Sequence, residues 1–186
     1  MNNIIARYQK NLSRIVNDDN IHDDVVKLFK FLKIARDKKK NIFICGNGGS
    51  AGNANHIAND FIYGASRKNK KKFKIESLSS NSSVITCLAN DEGYEHIYSK
   101  QIESKATEGD FLIILSGSGN SKNVINALKT ANKMKIKTFC IVGFDGGKCK
   151  KISKEFIHTK INDMQISEDM QLIIFHMCMQ IFSNYR

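Results

Sequence analysis

The chain contains no proline and no tryptophan in 186 residues. Its turns must therefore be built from glycine, asparagine and serine, and no proline marks a boundary between domains. No apolar run approaches the ~18 residues a membrane-spanning helix needs, and the opening MNNIIARYQK lacks the apolar core of a secretory signal. The protein is expected to remain cytoplasmic and off the membrane. Cys45, Cys87, Cys140, Cys149 and Cys178 are scattered, with no Cys-x-x-Cys pair. That spacing argues against a zinc knuckle or redox couple and leaves reduced, mostly buried thiols as the expectation. No internal repeat or low-complexity tract is evident.

What is present is ordinary globular material: 41% hydrophobic and 25% charged residues exclude disorder as the main state. The length suits one domain rather than two. Lys and Arg total 29 against 18 acidic residues, a net charge of +11. Such an excess suits a polyanion or a phosphorylated metabolite, but a coding bias toward Lys, Asn and Ile produces the same number. Nucleic acid is not an expected partner on this basis. The charge run RKNKKKFK, residues 67–74, reads as a solvated loop feeding a strand.

Apolar residues Ile4, Ile5, Tyr8, Leu12, Ile15 and Val16 recur at helical spacing, so the chain opens with an exposed amphipathic helix. A second helix is expected after DDNIHDD, with Val25, Phe29, Leu32 and Ala35 on one face and the basic run 36–40 at its C-terminal end. From residue 41 the rhythm changes. Short apolar runs at 41–45, 73–78, 110–115, 137–142 and 155–159 read as strands buried on both faces. Helical stretches at about 50–63, 82–90, 94–106, 121–134 and 167–184 alternate with them. Strand and helix in alternation predict a doubly wound α/β core with a five-stranded parallel sheet.

Two strand-to-helix junctions stand out. The first strand runs into Gly46, Asn47, Gly48, Gly49 and Ser50, with Ser50 a good helix N-cap, and then into a helix with Ala51, Ala54, Ile57, Ala58 and Phe61 on its apolar face. Free backbone amides and the helix dipole make such a junction an anion site. The spacing is neither Gly-x-Gly-x-x-Gly nor a Gly-Lys-Ser/Thr loop, which disfavours a nucleotide cofactor. After the third strand comes SGSGNSKNV, with Ser116, Ser118 and Ser121 ahead of an amphipathic helix. Three hydroxyls and helix-terminal amides can supply most of a phosphate's hydrogen bonds, although serine and glycine also merely cap and turn at many junctions. Two such loops at the carboxyl ends of neighbouring strands favour a binding site. His56 and Asp60, spaced i, i+4, share a helix face and suit either a metal pair or a base with its partner; a solvated ion pair is the plainer alternative.

CGNGGSAGNANHIANDF, LANDEGY, ILSGSGNS and a late helix carrying His176, taken in order, resemble the sugar isomerase (SIS) family, and within it the phosphoheptose isomerases that act on sedoheptulose 7-phosphate. The resemblance spans roughly the whole chain. It implies a single SIS domain over 1–186 with a flavodoxin-like sheet. It also implies a helical extension at 1–40 that contributes to a homotetramer or homodimer, and phosphosugar binding at a subunit interface. It further implies zinc held by His56, Asp60, Glu168 and His176, with Asp60 and His176 as the catalytic acid/base pair. Substrate contacts would come from Asn47, Gly48, Gly49, Ser50, Asn90, Asp91, Ser116, Gly117, Ser118, Ser121 and Glu168.

The chain departs from the family pattern in places. Asp60 stands where the family has glutamate, Glu168 where it has glutamine, and Gly117 where it has threonine. Glu168 and His176 are ~12 Å apart along a helix axis, so both reach one metal only by leaning toward each other. The family carries an arginine soon after the metal-binding helix, and Arg67 stands in that region. His22, His96 and His158 fall outside the motifs and read as surface or structural residues.

The residues support two functional readings. One is an aldose-ketose isomerase that converts sedoheptulose 7-phosphate, or a related phosphosugar, to an aldose 7-phosphate such as D-glycero-D-manno-heptose 7-phosphate, in the supply of lipopolysaccharide or capsule heptose. The other is a non-catalytic SIS protein that senses a phosphosugar or serves as an adaptor, for example one binding a replication initiator. Retention of two histidines and two carboxylates at the family's metal positions favours the enzyme.

Overall fold

The computed structural model describes residues 1–65 and 71–184. Arg67 and much of the 67–74 charge run lie outside the described residues. Strands β1 (Asn41–Cys45), β2 (Lys74–Ser77), β3 (Phe111–Ser116), β4 (Lys137–Val142) and β5 (Glu155–His158) form one sheet, ordered β2-β1-β3-β4-β5. Every neighbouring pair is parallel. The expected five-stranded, flavodoxin-like sheet is thus present. Its strand order reverses between β1 and β3, the place where open α/β sheets bind ligands.

Alternate residues of each strand serve opposite helix layers, as the period-two geometry of a strand requires. Ile42, Ile44, Phe111, Ile113, Leu115, Phe139 and Ile141 face one core. It is covered by α1 (Asn2–Val16), α2 (Asp19–Asp37), α3 (Gly49–Asn59) and α8 (Met164–Asn184). Phe43, Cys45, Leu112, Ile114, Cys140 and Val142 face the other. There the cover is α4 (Ser82–Asp91), α5 (Ser99–Lys105), α6 (Lys122–Lys133) and α7 (Gly147–Ile152). All six residues of β3 are buried, which explains its unbroken apolar run.

Several boundaries differ from the sequence reading, each for a local reason. Helix α2 begins inside DDNIHDD rather than after it, because the Asp18 side chain accepts from the Asn20 amide at 2.9 Å and caps the first turn. The 94–106 stretch divides into a short 3₁₀ turn at Tyr94–His96 and α5. Helix α8 starts three residues before Ser167: Asp163 caps it, its Oδ1 accepting from the Ile166 amide at 3.1 Å, while the Ser167 hydroxyl donates back to the Asp163 carbonyl. The short α7 had no sequence counterpart in the expectation. Four of the five cysteines are buried, none is in a disulfide, and Cys87 is exposed. Among the described residues no helix is long and apolar enough to cross a membrane.

Candidate active site

Both glycine-serine loops leave the carboxyl ends of adjacent strands at the β1/β3 reversal. Gly48 has φ +54° and ψ −122°, a conformation that a side chain makes costly, and it turns the chain from β1 into α3. In the second loop Gly119 has φ +64°, and a Cβ there would lie 2.2 Å from the Gly146 carbonyl oxygen. Glycine at that position lets the loop pack against the segment before α7. The Ser116 hydroxyl accepts from the Gly119 amide at 3.0 Å, and Ser118 Oγ accepts from Asn120 N at 3.3 Å. Ser121 occupies the N-cap position of α6 yet its hydroxyl makes no capping bond; the Val124 amide is taken by the Asn123 side chain, which leaves the Lys122 and Asn123 amides of the first turn for another acceptor. A Cβ on Gly117 would meet the flexible end of Met164, 2.4 Å from its sulfur, so the missing threonine side chain leaves space that α8 partly fills.

The first loop is arranged differently from the expectation. Helix α3 starts at Gly49 with Gly48 as its cap, and Ser50 lies buried in the first turn. The anion at this helix N-terminus comes from within the chain. Glu168 of α8 places its carboxylate against Gly49, where an added Cβ would lie 2.2 Å from Oε2, and its Oε1 accepts from the Ser50 amide at 3.2 Å. Around it, Asn53 Nδ2 donates to the Glu168 carbonyl at 2.9 Å and to Gln171 Oε1 at 3.0 Å, and Gln171 Nε2 donates to Ser50 Oγ at 3.0 Å. A negative charge is stabilised at a helix N-terminus, so this contact holds α8 on α3. One residue on, Asp169 accepts a very short hydrogen bond from the Tyr8 hydroxyl. That bond to a carboxylate, with some burial, pushes the Tyr8 phenol up to about 12 and ties α1 to the same helix.

The register between α3 and α8 brings three donors together. His56 Nε2 lies 3.3 Å from His176 Nε2, and Asp60 Oδ2 lies 3.3 Å from each of them. A tetrahedral ion bound at ~2.0–2.1 Å separates its ligand atoms by about 3.3 Å, so this triangle has the dimensions of one face of a zinc site. The donor set of two imidazoles and a carboxylate also suits that ion. Asp60 is the least exposed of the three, with a side chain 19% accessible, while both imidazoles are about half exposed. Glu168 stands apart from this group because the helix N-terminus holds its carboxylate.

Asp60 is positioned by the turn that it opens. The expected continuous helix over 50–63 changes hydrogen bonding there, with a π-helical turn at Asp60–Gly64 in which the Ala65 amide donates to the Asp60 carbonyl at 2.9 Å. Such turns recur at functional sites. Phe61, 1% exposed, anchors it edge-on to Phe73, Phe175 and Phe182. Burying Phe61 inward leaves the preceding carboxylate facing the histidines.

Comparison with known proteins then decides the family. The family model described as the SIS domain matches residues 6–143. The chain belongs to the SIS domain family. It is 38% identical over 160 residues to a phosphoheptose isomerase of Aliarcobacter butzleri, an alignment covering 84% of each chain. It is also 38% identical over 135 residues to one from Helicobacter pylori, covering 73% of this chain and 70% of that one. The structure of a phosphoheptose isomerase from Neisseria gonorrhoeae superposes with a TM-score of 0.88 at 24% identity, covering 98% of both chains, and shares the fold.

Not every residue expected in an SIS site converges here. Asn90 and Asp91 lie exposed in the last turn of α4, bonded to each other at 2.7 Å, with Cys87 donating to Asp91 at 3.5 Å. The LANDEGY segment instead reaches the first loop through Tyr94, whose hydroxyl donates to Asn47 Oδ1 at 3.2 Å. Sequence reasoning missed Tyr94, Asn53, Gln171 and Asn123. Gln171 and Asn123 are polar residues on the buried faces of amphipathic helices, and that mismatch was the available signal. His158 is structural, its ring bonded to the Phe144 carbonyl oxygen at 2.9 Å.

Proposed function

We propose that the chain is a phosphoheptose isomerase that interconverts sedoheptulose 7-phosphate and an aldose 7-phosphate by enediol proton transfer. The observation that carries this reading is the triangle of His56, Asp60 and His176 beside a hydroxyl-rich loop at the point where strand order reverses. A sensor or adaptor needs the loop but has no use for a proton-transfer and metal-binding cluster.

The serine loop holds the phosphate. Ser118, Ser121 and the first amides of α6 supply donors there, while Ser116 is committed to the turn itself. Anchoring the phosphate orients the other end of the sugar toward the histidine-carboxylate cluster. Asp60 takes the proton from C1 of the ketose while the C2 carbonyl oxygen takes up a proton, leaving an enediol. His176, whose Nε2 faces His56 and Asp60, returns a proton to C2 through Nδ1, and the hydroxyl proton of O1 leaves as the aldehyde forms. Asp60 Oδ2 faces the imidazoles, which leaves Oδ1 to accept the carbon-bound proton. Asp60 and His176 come from different helices, so the packing of α3 on α8 sets the distance between the two proton-transfer groups.

His56, Asp60 and His176 would hold a zinc ion. When bound, zinc supplies a positive charge that stabilises negative charge developing on the sugar oxygens. Glu168 keeps its place on the α3 N-terminus in this scheme. The helices of residues 1–40 supply the subunit contacts of a homo-oligomer, to which the exposed Ile4 and Ile5 would contribute. The test is turnover of sedoheptulose 7-phosphate by the purified protein, first after chelation and then with zinc restored. Aldose 7-phosphate that appears only with zinc is the expected result. Turnover that is absent under both conditions overturns the reading.

A further inference from the structure

The two loops are joined by a side-chain relay that fixes which way Asn47 faces. Asn123, 2% exposed, lies in the first turn of α6. Its Oδ1 accepts from the Val124 backbone amide at 2.9 Å. A backbone N–H only donates, so this bond identifies that atom as the carbonyl oxygen and removes the twofold ambiguity of an asparagine end group. With Asn123 so fixed, its Oδ1 also accepts from Asn47 Nδ2 at 2.9 Å, and its Nδ2 donates to Asn47 Oδ1 at 2.7 Å. The Tyr94 hydroxyl donates to the same Asn47 oxygen at 3.2 Å. Both lone pairs of Asn47 Oδ1 are thereby used, and one Nδ2 hydrogen remains.

We propose that Asn123 is a positioning residue that holds Asn47 as a one-way hydrogen-bond donor, so that the first glycine loop recognises an acceptor oxygen of the sugar. Turned the other way, Asn47 would offer lone pairs and select a hydroxyl by its hydrogen instead. A donor is the more useful of the two in an aldose-ketose isomerisation. The carbonyl, enediol and hydroxyl states of a sugar oxygen all keep a lone pair, and a fixed N–H favours whichever state carries most negative charge. The substrate class in this inference rests on the isomerase reading; the relay does not.

Asn123→Asp tests it, because the carboxylate keeps the shape and still accepts from Val124 N and Asn47 Nδ2 but sets oxygen against Asn47 Oδ1. The variant is measured in the wild-type and in an Asn47→Ala background. If Asn123 acts through Asn47, kcat/KM for sedoheptulose 7-phosphate falls at least tenfold in the first, and the loss is at least fivefold smaller in the second. Equal losses in both backgrounds overturn the proposal, since an added charge near the phosphate loop would act in both alike.

A second measurement needs neither a variant nor a substrate. In the unmodified protein, NMR should show a cross-peak between the side-chain amide hydrogens of Asn47 and Asn123, and its absence overturns the relay. A cross-peak in a protein inert toward the sugar would retain the relay and remove the isomerase reading.

Discussion

Replacing Asp60 with asparagine separates chemistry from packing more cleanly than any other change in the site. The side chain keeps its shape and its distance from both imidazoles but loses the ability to take a proton. Positioned general acid-base groups contribute about 10²–10⁴ in rate. The expected fall in kcat is therefore two to four orders of magnitude, or roughly 3–5.5 kcal/mol in the barrier. Stability should barely move. The Asp60 carboxylate is 19% accessible and its partners are half exposed, so its contacts with the imidazoles contribute at most about 1 kcal/mol. For a chain of this length that is a shift in Tm of about 2–4 °C. Turnover by NMR, a thermal melt and calorimetric binding of the sugar phosphate give the three readouts. Turnover within about threefold of wild type, with the fold intact, would refute the assignment of Asp60 as base. Loss of turnover accompanied by a collapse in Tm would show that the residue is structural.

Cysteine reactivity gives a second check. Burial pushes the thiols of Cys140, Cys149 and Cys178 up to about 12 and raises that of Cys45 as well, so native protein should alkylate at Cys87 alone, counted by mass spectrometry. Even Cys87 should react slowly, because its hydrogen bond to the Asp91 carboxylate raises its pKa. Two or more rapid additions to folded protein would contradict the burial pattern. Asp110, 1% exposed, receives hydrogen bonds from the amide and side chain of both Asn41 and Thr107. Burial alone would raise its pKa, but these donors hold it below the ordinary carboxylate value. Its contribution is therefore full above pH ~3.9 and lost as pH falls through the depressed folded value. Asp110→Asn should cost about 2 kcal/mol at neutral pH in a urea melt and flatten the acid side of the stability profile. An unchanged profile would remove Asp110 from that account.

The strands and the class of fold were legible because burial on both faces leaves an unmistakable signature in runs such as DFLIIL. Helix ends were less so: Asp18 and Asp163 cap helices that the apolar stripes alone would start later, since capping depends on one polar side chain rather than on periodicity. The π-helical turn at Asp60 left no mark in the sequence that a helical stripe would not also leave. Within the site, the i, i+4 spacing of His56 and Asp60 was readable from the chain, but their meeting with His176 depends on α8 packing across α3, a contact between residues 120 apart. Glu168 illustrates the opposite case. Its position pointed to the metal cluster, and the Ser50 amide at the α3 N-terminus holds it instead. Asn123 was passed over because a polar residue beside a loop reads as capping until its partner 76 residues away is seen.

The central claim is that this site moves a proton between adjacent carbons of a phosphosugar, and incubation of the protein with sedoheptulose 7-phosphate and zinc in heavy water tests it most directly. The account predicts deuterium entering C1 or C2, together with an aldose 7-phosphate, and loss of both in Asp60→Asn. Product with no deuterium at either carbon would contradict base catalysis through an enediol that exchanges with solvent. Neither exchange nor product, with the sugar bound, would contradict the claim itself.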